Sequence, residues 1–400
     1  MGASAAQNRA RSRKRRLLVV APFAIALVAG SACSSGGSAA TAGAGSGSSP
    51  TTTASSASLS VGCVSAATAL VTQHLASSSQ NWYPTGSPNA AVAKGKSLWI
   101  IPLTTAIPTL ADYAKGFQNA ATALGAKVTI FDGQGTPAGA AQGIDDAIAA
   151  HADGIVTALI DPKSIASAVD NAKAANIPII EADSGPPVPP YVPGVEAAVA
   201  QDQTAQGTWQ VDYGLKMTGC KLHALLVNTP GNIASDSTYG GEKAELAKLC
   251  PNVCTSYDAG VEVQDVATQT TGIVENAVRL HPDINAIIEV ADVYQPYVAT
   301  ALSSLGKKIP VITTSSMGDL ANSGPVGAGV AADVVYAPGL AHGWFYMDAV
   351  LRLLNGGKSV AELYPIGLVD SSNRAANDPS NYATPPYANY VARFKQLWGV

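Results

Sequence analysis

The chain has 400 residues, 47% of them hydrophobic and 13% charged, with a formal net charge of −4 at pH 7. That length exceeds what one hydrophobic core ordinarily serves and suits two domains. Six of the 24 Lys and Arg precede position 17 and no acid precedes Cys33, so 18 basic residues face 28 acidic ones from there on, a net −10 that argues against nucleic acid or an anionic membrane face as partner.

In chain order, Arg9, Arg11, Arg13, Lys14, Arg15 and Arg16 precede an apolar run, 17–30, that contains Pro22 and is shorter than the ~20 residues needed to span a bilayer. It ends in Gly30-Ser-Ala-Cys33. This resembles a bacterial lipoprotein signal, which implies that residues 1–32 are removed and that Cys33 carries lipid anchoring the protein to the outer face of the cell membrane. Gly30 stands where such signals usually have Leu, and plain secretion with Cys33 incidental is the alternative. Residues 33–58 are nearly all Ser, Gly, Ala and Thr, a tether with too little apolar surface to offset the entropy of ordering.

Of five Cys, four remain once Cys33 is set aside, and an even number in an exported chain favours disulfides. The best pair is Cys250 with Cys254, across a turn at Pro251; the partners of Cys63 and Cys220 stay open. No His lies near a Cys, so no metal is expected, nor any cofactor.

Residues 59–95 read as an N-terminal helix, 59–77, packed outside the first sheet and followed by a polar loop. Four apolar runs, 97–103, 127–132, 154–161 and 177–183, then alternate with helical stretches at 113–124, 137–150 and 164–175. Short Val- and Ile-rich runs alternating with helices predict right-handed βαβ units and a parallel sheet. Ligands gather at the carboxyl ends of such strands, which points to Thr104, Thr105, Asp132, Gln134, Asp183 and Ser184. Gly133-Gln-Gly135-Thr-Pro137-Ala-Gly139 superficially copies a dinucleotide fingerprint, but Pro137 suits a first helical residue and a strand-to-helix turn touching ligand is the simpler reading. Asp161 before Pro162 is an N-cap. The Pro-rich stretch 185–193 suits a stiff rim or lid. A strand at 195–201 and a helix at 204–217 lead to a second series: strands 221–228, 253–259, 286–290, 309–314 and 327–332, helices 237–249, 266–280 and 294–305. Helix 338–354 follows, and the chain is then loop-like until a helix at 387–398.

Ala114-Lys-Gly-Phe-Gln-Asn-Ala-Ala, Ala172-Lys-Ala-Ala-Asn-Ile-Pro-Ile-Ile, His281-Pro-Asp-Ile-Asn-Ala-Ile-Ile with Ala291-Asp292, and Ala349-Val-Leu-Arg-Leu-Leu-Asn-Gly occur in an order and spacing similar to the periplasmic sugar-type solute-binding proteins of ABC transporters. The resemblance covers 96–357. It implies the α/β type I periplasmic-binding-protein fold: two lobes, each a parallel sheet flanked by helices, joined by a three-crossing hinge. Lobe 1 would comprise 96–197 and 334–358, and lobe 2 would comprise 198–333 and 359–400. A monomer would close on a small-molecule ligand and present it to a membrane permease. Departures are numerous. Where the family has Asn-Pro and two aromatics this chain has Ile107-Pro108-Thr109-Leu110, and Thr238, Ala291, Ser315 and Ser184 stand for an Arg, an Asn, an Asp and a second Arg. Only Asp183 clearly matches. The ligand expected is therefore sugar-like or less polar, not a standard pentose or hexose.

Asp183 either accepts from ligand hydroxyls or pairs within the Pro-rich loop. Asp292 either faces the cleft or caps the next helix. Tyr239 and Tyr294, in first turns of second-lobe helices, either stack on ligand or pack on the lobe. Ser315 and Asp333, after their strands, complete the candidates. No nucleophile elbow, no zinc-protease motif and no tuned carboxylate pair is present, so an enzyme is not expected. The competing functions are a ligand sensor of the same fold and, further off, an exported α/β enzyme.

Overall fold

The structure, a computed structural model, describes residues 56–77, 83–185, 191–316, 329–357, 361–364, 366–374 and 389–400. The signal at 1–32, Cys33, the tether as far as residue 55 and the centre of the Pro-rich stretch, 186–190, lie outside the described residues.

The first series folds as β1 (Ser97–Pro102), α2 (Pro108–Ala123), β2 (Lys127–Ile130), α3 (Pro137–Ala149), β3 (Gly154–Ala158), α4 (Ala166–Ala174), β4 (Ile179–Ala182) and β5 (Val195–Gln201), preceded by α1 (Ser56–Ser77). The second is α5 (Gln203–Thr218), β6 (His223–Asn228), α6 (Ile233–Leu249), β7 (Thr255–Gly260), α7 (Val266–Leu280), β8 (Ala286–Glu289), α8 (Gln295–Ser304), β9 (Val311–Ser316) and β10 (Val330–Tyr336). Helix α9 (Gly339–Leu354), β11 (Ala361–Tyr364), β12 (Gly367–Asp370) and α10 (Tyr390–Trp398) complete the chain.

Two six-stranded sheets result, ordered β11-β5-β4-β3-β1-β2 and β12-β10-β9-β8-β6-β7. Strands β3 and β4 are buried throughout, which suits apolar runs covered by helices on both faces. All pairs are parallel except β10 with β12. The turn into α3 is the plain one: the Thr136 side chain accepts from the Gly139 amide at 3.1 Å and Pro137 takes the first helical position. The chain passes between sheets three times, at 201–203, 336–339 and 364–367.

Each lobe has one helix pair in backbone contact. A Cβ on Gly343 of α9 would lie 1.9 Å from the Phe117 amide of α2, and one on Gly207 of α5 would lie 2.0 Å from the Thr238 carbonyl of α6. Only glycine permits such crossings.

Several expectations need correction. Residues 361–364 and 367–370 form two strands rather than loop, because they pair with β5 and β10, far away in sequence. Strand β10 is displaced towards the C-terminus of its expected span, so Asp333 lies within it rather than after it. Helix α1 does not cover the first sheet; it packs on α5 and β12. It runs antiparallel to α5, with Cys63 bonded to Cys220 near one end and His74 stacked on Trp209 at 4.0 Å near the other. Asp212 of α5 adds a 2.9 Å contact to His74 Nε2. Helix α10 returns to lobe 1, where Trp398 stacks on Trp344 of α9 at 5.3 Å. The disulfide between Cys250 and Cys254 is present as expected.

Candidate functional site between the lobes

A cavity of about 410 Å3 opens between the carboxyl ends of the two sheets. Its lobe 1 wall is the first turn of α2. Ile107 there is an N-cap without a side-chain bond, Pro108 starts the helix, and Thr109 and Leu110 after it line the cavity. The facing wall comes from the start of α6, capped by Asn232, and from the segment after β8. Thr238 and Ala291, at positions where the sequence departs from the family pattern, line that wall. Val263, Val266, Val290 and Val293 add further apolar surface.

Three of the candidates, Asp183, Asp292 and Tyr294, line the cavity. Thr229 shares a hydrogen bond with the Tyr294 hydroxyl. Burial pushes that hydroxyl up to about 12, against the lowering pull of Thr229. Asp183 is fully buried with a left-handed backbone, φ 58°. Its Oδ1 accepts from the Tyr364 hydroxyl and its Oδ2 from that of Tyr346, with His342 Nδ1 3.0 Å from Oδ2. The carboxylate is thus already engaged by the protein on both oxygens.

The remaining candidates lie elsewhere. Thr105 donates its hydroxyl to Asp132 Oδ2 at 2.6 Å, and the Thr105 and Gln134 amides donate to Oδ1 at 3.2 and 2.8 Å. Burial raises the Asp132 carboxyl, but these bonds outweigh it and hold the group below the usual carboxylate range. Thr104 closes a turn of its own onto the Ala106 amide. Together they brace the β1 and β2 ends outside the cavity. Ser315 donates to Asp333 at 2.6 Å, both buried in the second sheet. Tyr239 is not in the first turn, because α6 begins at Ile233, and it carries the Lys243 ammonium 5.8 Å above its ring instead.

Gln201, Gln203 and Gln206 line the cavity and escape the sequence reading. The signal was present: Gln203, Gln206 and Gln210 fall at i, i+3 and i+7 on the buried face of α5, where apolar residues belong. Gln203 Nε2 donates to the Asp183 carbonyl at 3.3 Å.

A partly apolar cavity between two α/β lobes is the kind of place where a small molecule is held. The periplasmic binding protein domain profile matches residues 99–358, and the chain belongs to that family, one of binding proteins and not of enzymes. The ribose import binding protein RbsB of Bacillus subtilis is 27% identical over 207 residues, which is 51% of this chain and 65% of the relative, just under two thirds of its length. A solute-binding protein of an ABC transporter from Agrobacterium vitis, bound with alpha-D-tagatopyranose, superposes with a TM-score of 0.63 at 19% identity over 75% of this chain and 98% of its own. One from Burkholderia graminis in complex with D-arabinose gives 0.61 at 22% identity over 71% and 98%. At such identity the likeness is one of fold.

Proposed function

We propose that the protein is an exported solute-binding protein, tethered through a lipid on Cys33, that closes its lobes on a small molecule and delivers it as a monomer to the permease of an ABC importer. The solute is sugar-like or less polar, not a standard pentose or hexose. Carrying this reading is the inter-lobe cavity of a binding-protein family member, whose lining includes Ile107, Thr109, Leu110, Thr238 and Ala291 at positions where the resemblance to sugar-binding proteins implies amide, aromatic and guanidinium partners. A polyol hydroxyl left there without a partner costs about 1–3 kcal/mol. Asp183, expected as the surviving ligand acceptor, acts in this reading as a brace for the hinge.

The test combines a thermal-shift screen over sugars, polyols, nucleosides and less polar metabolites with solution scattering of the stabilised complex. A solute should raise the melting temperature and reduce the radius of gyration. Tight binding of unmodified ribose or glucose, or a stabilising solute that leaves the radius unchanged, contradicts the reading. Cys33→Ser should move the protein from membrane to medium.

A further inference from the structure

Building on the cavity as the solute site, we infer that Gln201, Gln203 and Gln206 are its specificity-determining polar edge, and that the ligand is an uncharged glycoside whose sugar diol meets these amides while its aglycone meets the apolar walls.

The three side chains are 7%, 1% and 2% exposed. Gln201 Oε1, Gln203 Oε1 and Gln206 Nε2 are buried with no hydrogen-bond partner among the described residues. Buried polar atoms are almost always satisfied, so three orphans around one cavity mark the place where something else bonds. Two carbonyl oxygens and one amide nitrogen ask for two donors and one acceptor. A vicinal diol supplies both hydroxyl protons and a lone pair.

Several other polar side chains of the lining already have partners within the protein. Thr238 and Thr314 donate to the Ala234 and Val334 carbonyls at 3.2 and 2.8 Å. Ser235 accepts from the Thr229 amide at 2.8 Å, and Asn232 from the Ser235 amide at 3.1 Å. Thr229 and Tyr294 bond each other. The three unpartnered amides lie together on the hinge side, at the β5 to α5 crossing. Ile107 and Leu110 on the lobe 1 wall and Val263, Val266 and Val293 on the lobe 2 wall supply the apolar surface.

Charge narrows the class. Among the described residues no Lys, Arg or His lines the cavity, and its two charged residues, Asp183 and Asp292, are acids. A phosphate or carboxylate there would lose its hydration with no cation in return. A cavity of about 410 Å3 also lies within the range of roughly 300–1,000 Å3 that buries ligands larger than a lone sugar ring.

The experiment titrates the full exported chain with phenyl glycosides of glucose, galactose and ribose, with adenosine as an N-glycoside, with the parent sugars, and with glucose 6-phosphate. At least one glycoside should bind a hundredfold more tightly than its parent sugar, and the phosphate should not bind. Gln206→Leu, whose side chain makes no bond that holds the fold, should weaken that glycoside tenfold or more without lowering the melting temperature of the free protein; Gln201→Leu serves as the second variant. Parent sugar or phosphate binding as well as the glycoside overturns the inference, as does an unchanged affinity in both variants. Failure of every glycoside also overturns it, while a different solute that binds and compacts the protein would leave the solute-binding reading standing.

Discussion

His342 Nδ1 lies 3.0 Å from Asp183 Oδ2, and neither side chain reaches solvent. His342 follows the second crossing, on the first turn of α9, and Tyr113 of α2 stacks on its ring at 4.2 Å. Tyr364, which bonds the other carboxylate oxygen from 181 residues away, is the last residue before the third crossing. Gln203, which donates to the Asp183 carbonyl, is the first residue of α5 after the first crossing. All three passages between the sheets therefore converge on one residue.

Removal of that carboxylate strands two buried tyrosine hydroxyls and an imidazole. Burial first, and then the Asp183 charge, holds both hydroxyls well above their ordinary range, so they stay protonated and donate. Asp183→Ala should cost about 3–5 kcal/mol in urea unfolding, since each buried donor left without its acceptor costs about 1–3 kcal/mol. Tyr364→Phe should cost less, about 1–3 kcal/mol. A loss below about 1 kcal/mol for Asp183→Ala would show that the crossings hold together without it.

Stability should also depend on pH through Glu181 of β4. Burial, assisted by the charge of Asp161 and opposed by Lys163, lifts its carboxyl from 4.5 to about 7. The folded state then holds a proton that the unfolded state releases above 4.5. Stability is thus greatest below 4.5 as far as this group is concerned and is lost as pH rises through 7. The change amounts to about 3 kcal/mol at most. Glu242 and Glu289, fully buried and raised by burial before any neighbouring charge, act in the same direction. Urea midpoints should fall from pH 5 to pH 7.5, and Glu181→Gln should flatten part of that fall. An unchanged slope in the variant would remove Glu181 as a cause.

The strands and helices of the two βαβ series were legible because central parallel strands are apolar on both faces and their helices keep a regular spacing. Residues 361–364 and 367–370 were not, since two four-residue strands acquire their identity only from β5 and β10. The direction in which α1 packs was equally hidden. An Ala-rich helix fits either sheet, and the choice is made by Cys63 meeting Cys220 and His74 meeting Trp209. Asp183 was visible as an acid at a strand end. Its role was not, because its partners His342, Tyr346 and Tyr364 lie 159 to 181 residues further on. Positions 107–110, 238 and 291 reached the cavity because the family resemblance carries the cleft with it. The glutamines of α5 were readable in principle, as polar residues in an apolar stripe.

The two disulfides should contribute unequally. Cys63 and Cys220 are 157 residues apart and Cys250 and Cys254 only 4. Loop-closure entropy gives about 5 kcal/mol for the first and about 2 kcal/mol for the second. Cys63→Ser with Cys220→Ser should therefore lower the urea midpoint well below that of Cys250→Ser with Cys254→Ser. It also frees α1 from lobe 2, so Trp209 fluorescence should change in the first variant alone. Equal midpoints would mean that the contacts of His74 with Trp209 and Asp212 hold α1 in place without the bond.

Neighbouring glycines on α6 should respond in opposite ways to a methyl group. Around Gly240 a Cβ meets nothing within 4 Å, whereas on Gly241 it would lie 2.1 Å from the Thr204 carbonyl of α5. Gly240→Ala only reduces the freedom of the unfolded chain and favours helix, worth about 0.5–1 kcal/mol of added stability. Gly241→Ala drives a side chain into backbone that cannot rotate away, so α5 and α6 must part, at about 1–3 kcal/mol or more. The damage extends beyond stability, because these helices carry Gln206 and Thr238, both of which line the cavity. A shift of a few tenths of an ångström between them moves the polar edge relative to the apolar wall. Gly241→Ala should therefore weaken solute binding even at temperatures where the variant is fully folded, while Gly240→Ala binds as the parent does. Paired unfolding and binding titrations on the two variants decide the matter, and a Gly241→Ala protein as stable as Gly240→Ala would contradict the close contact of α5 with α6.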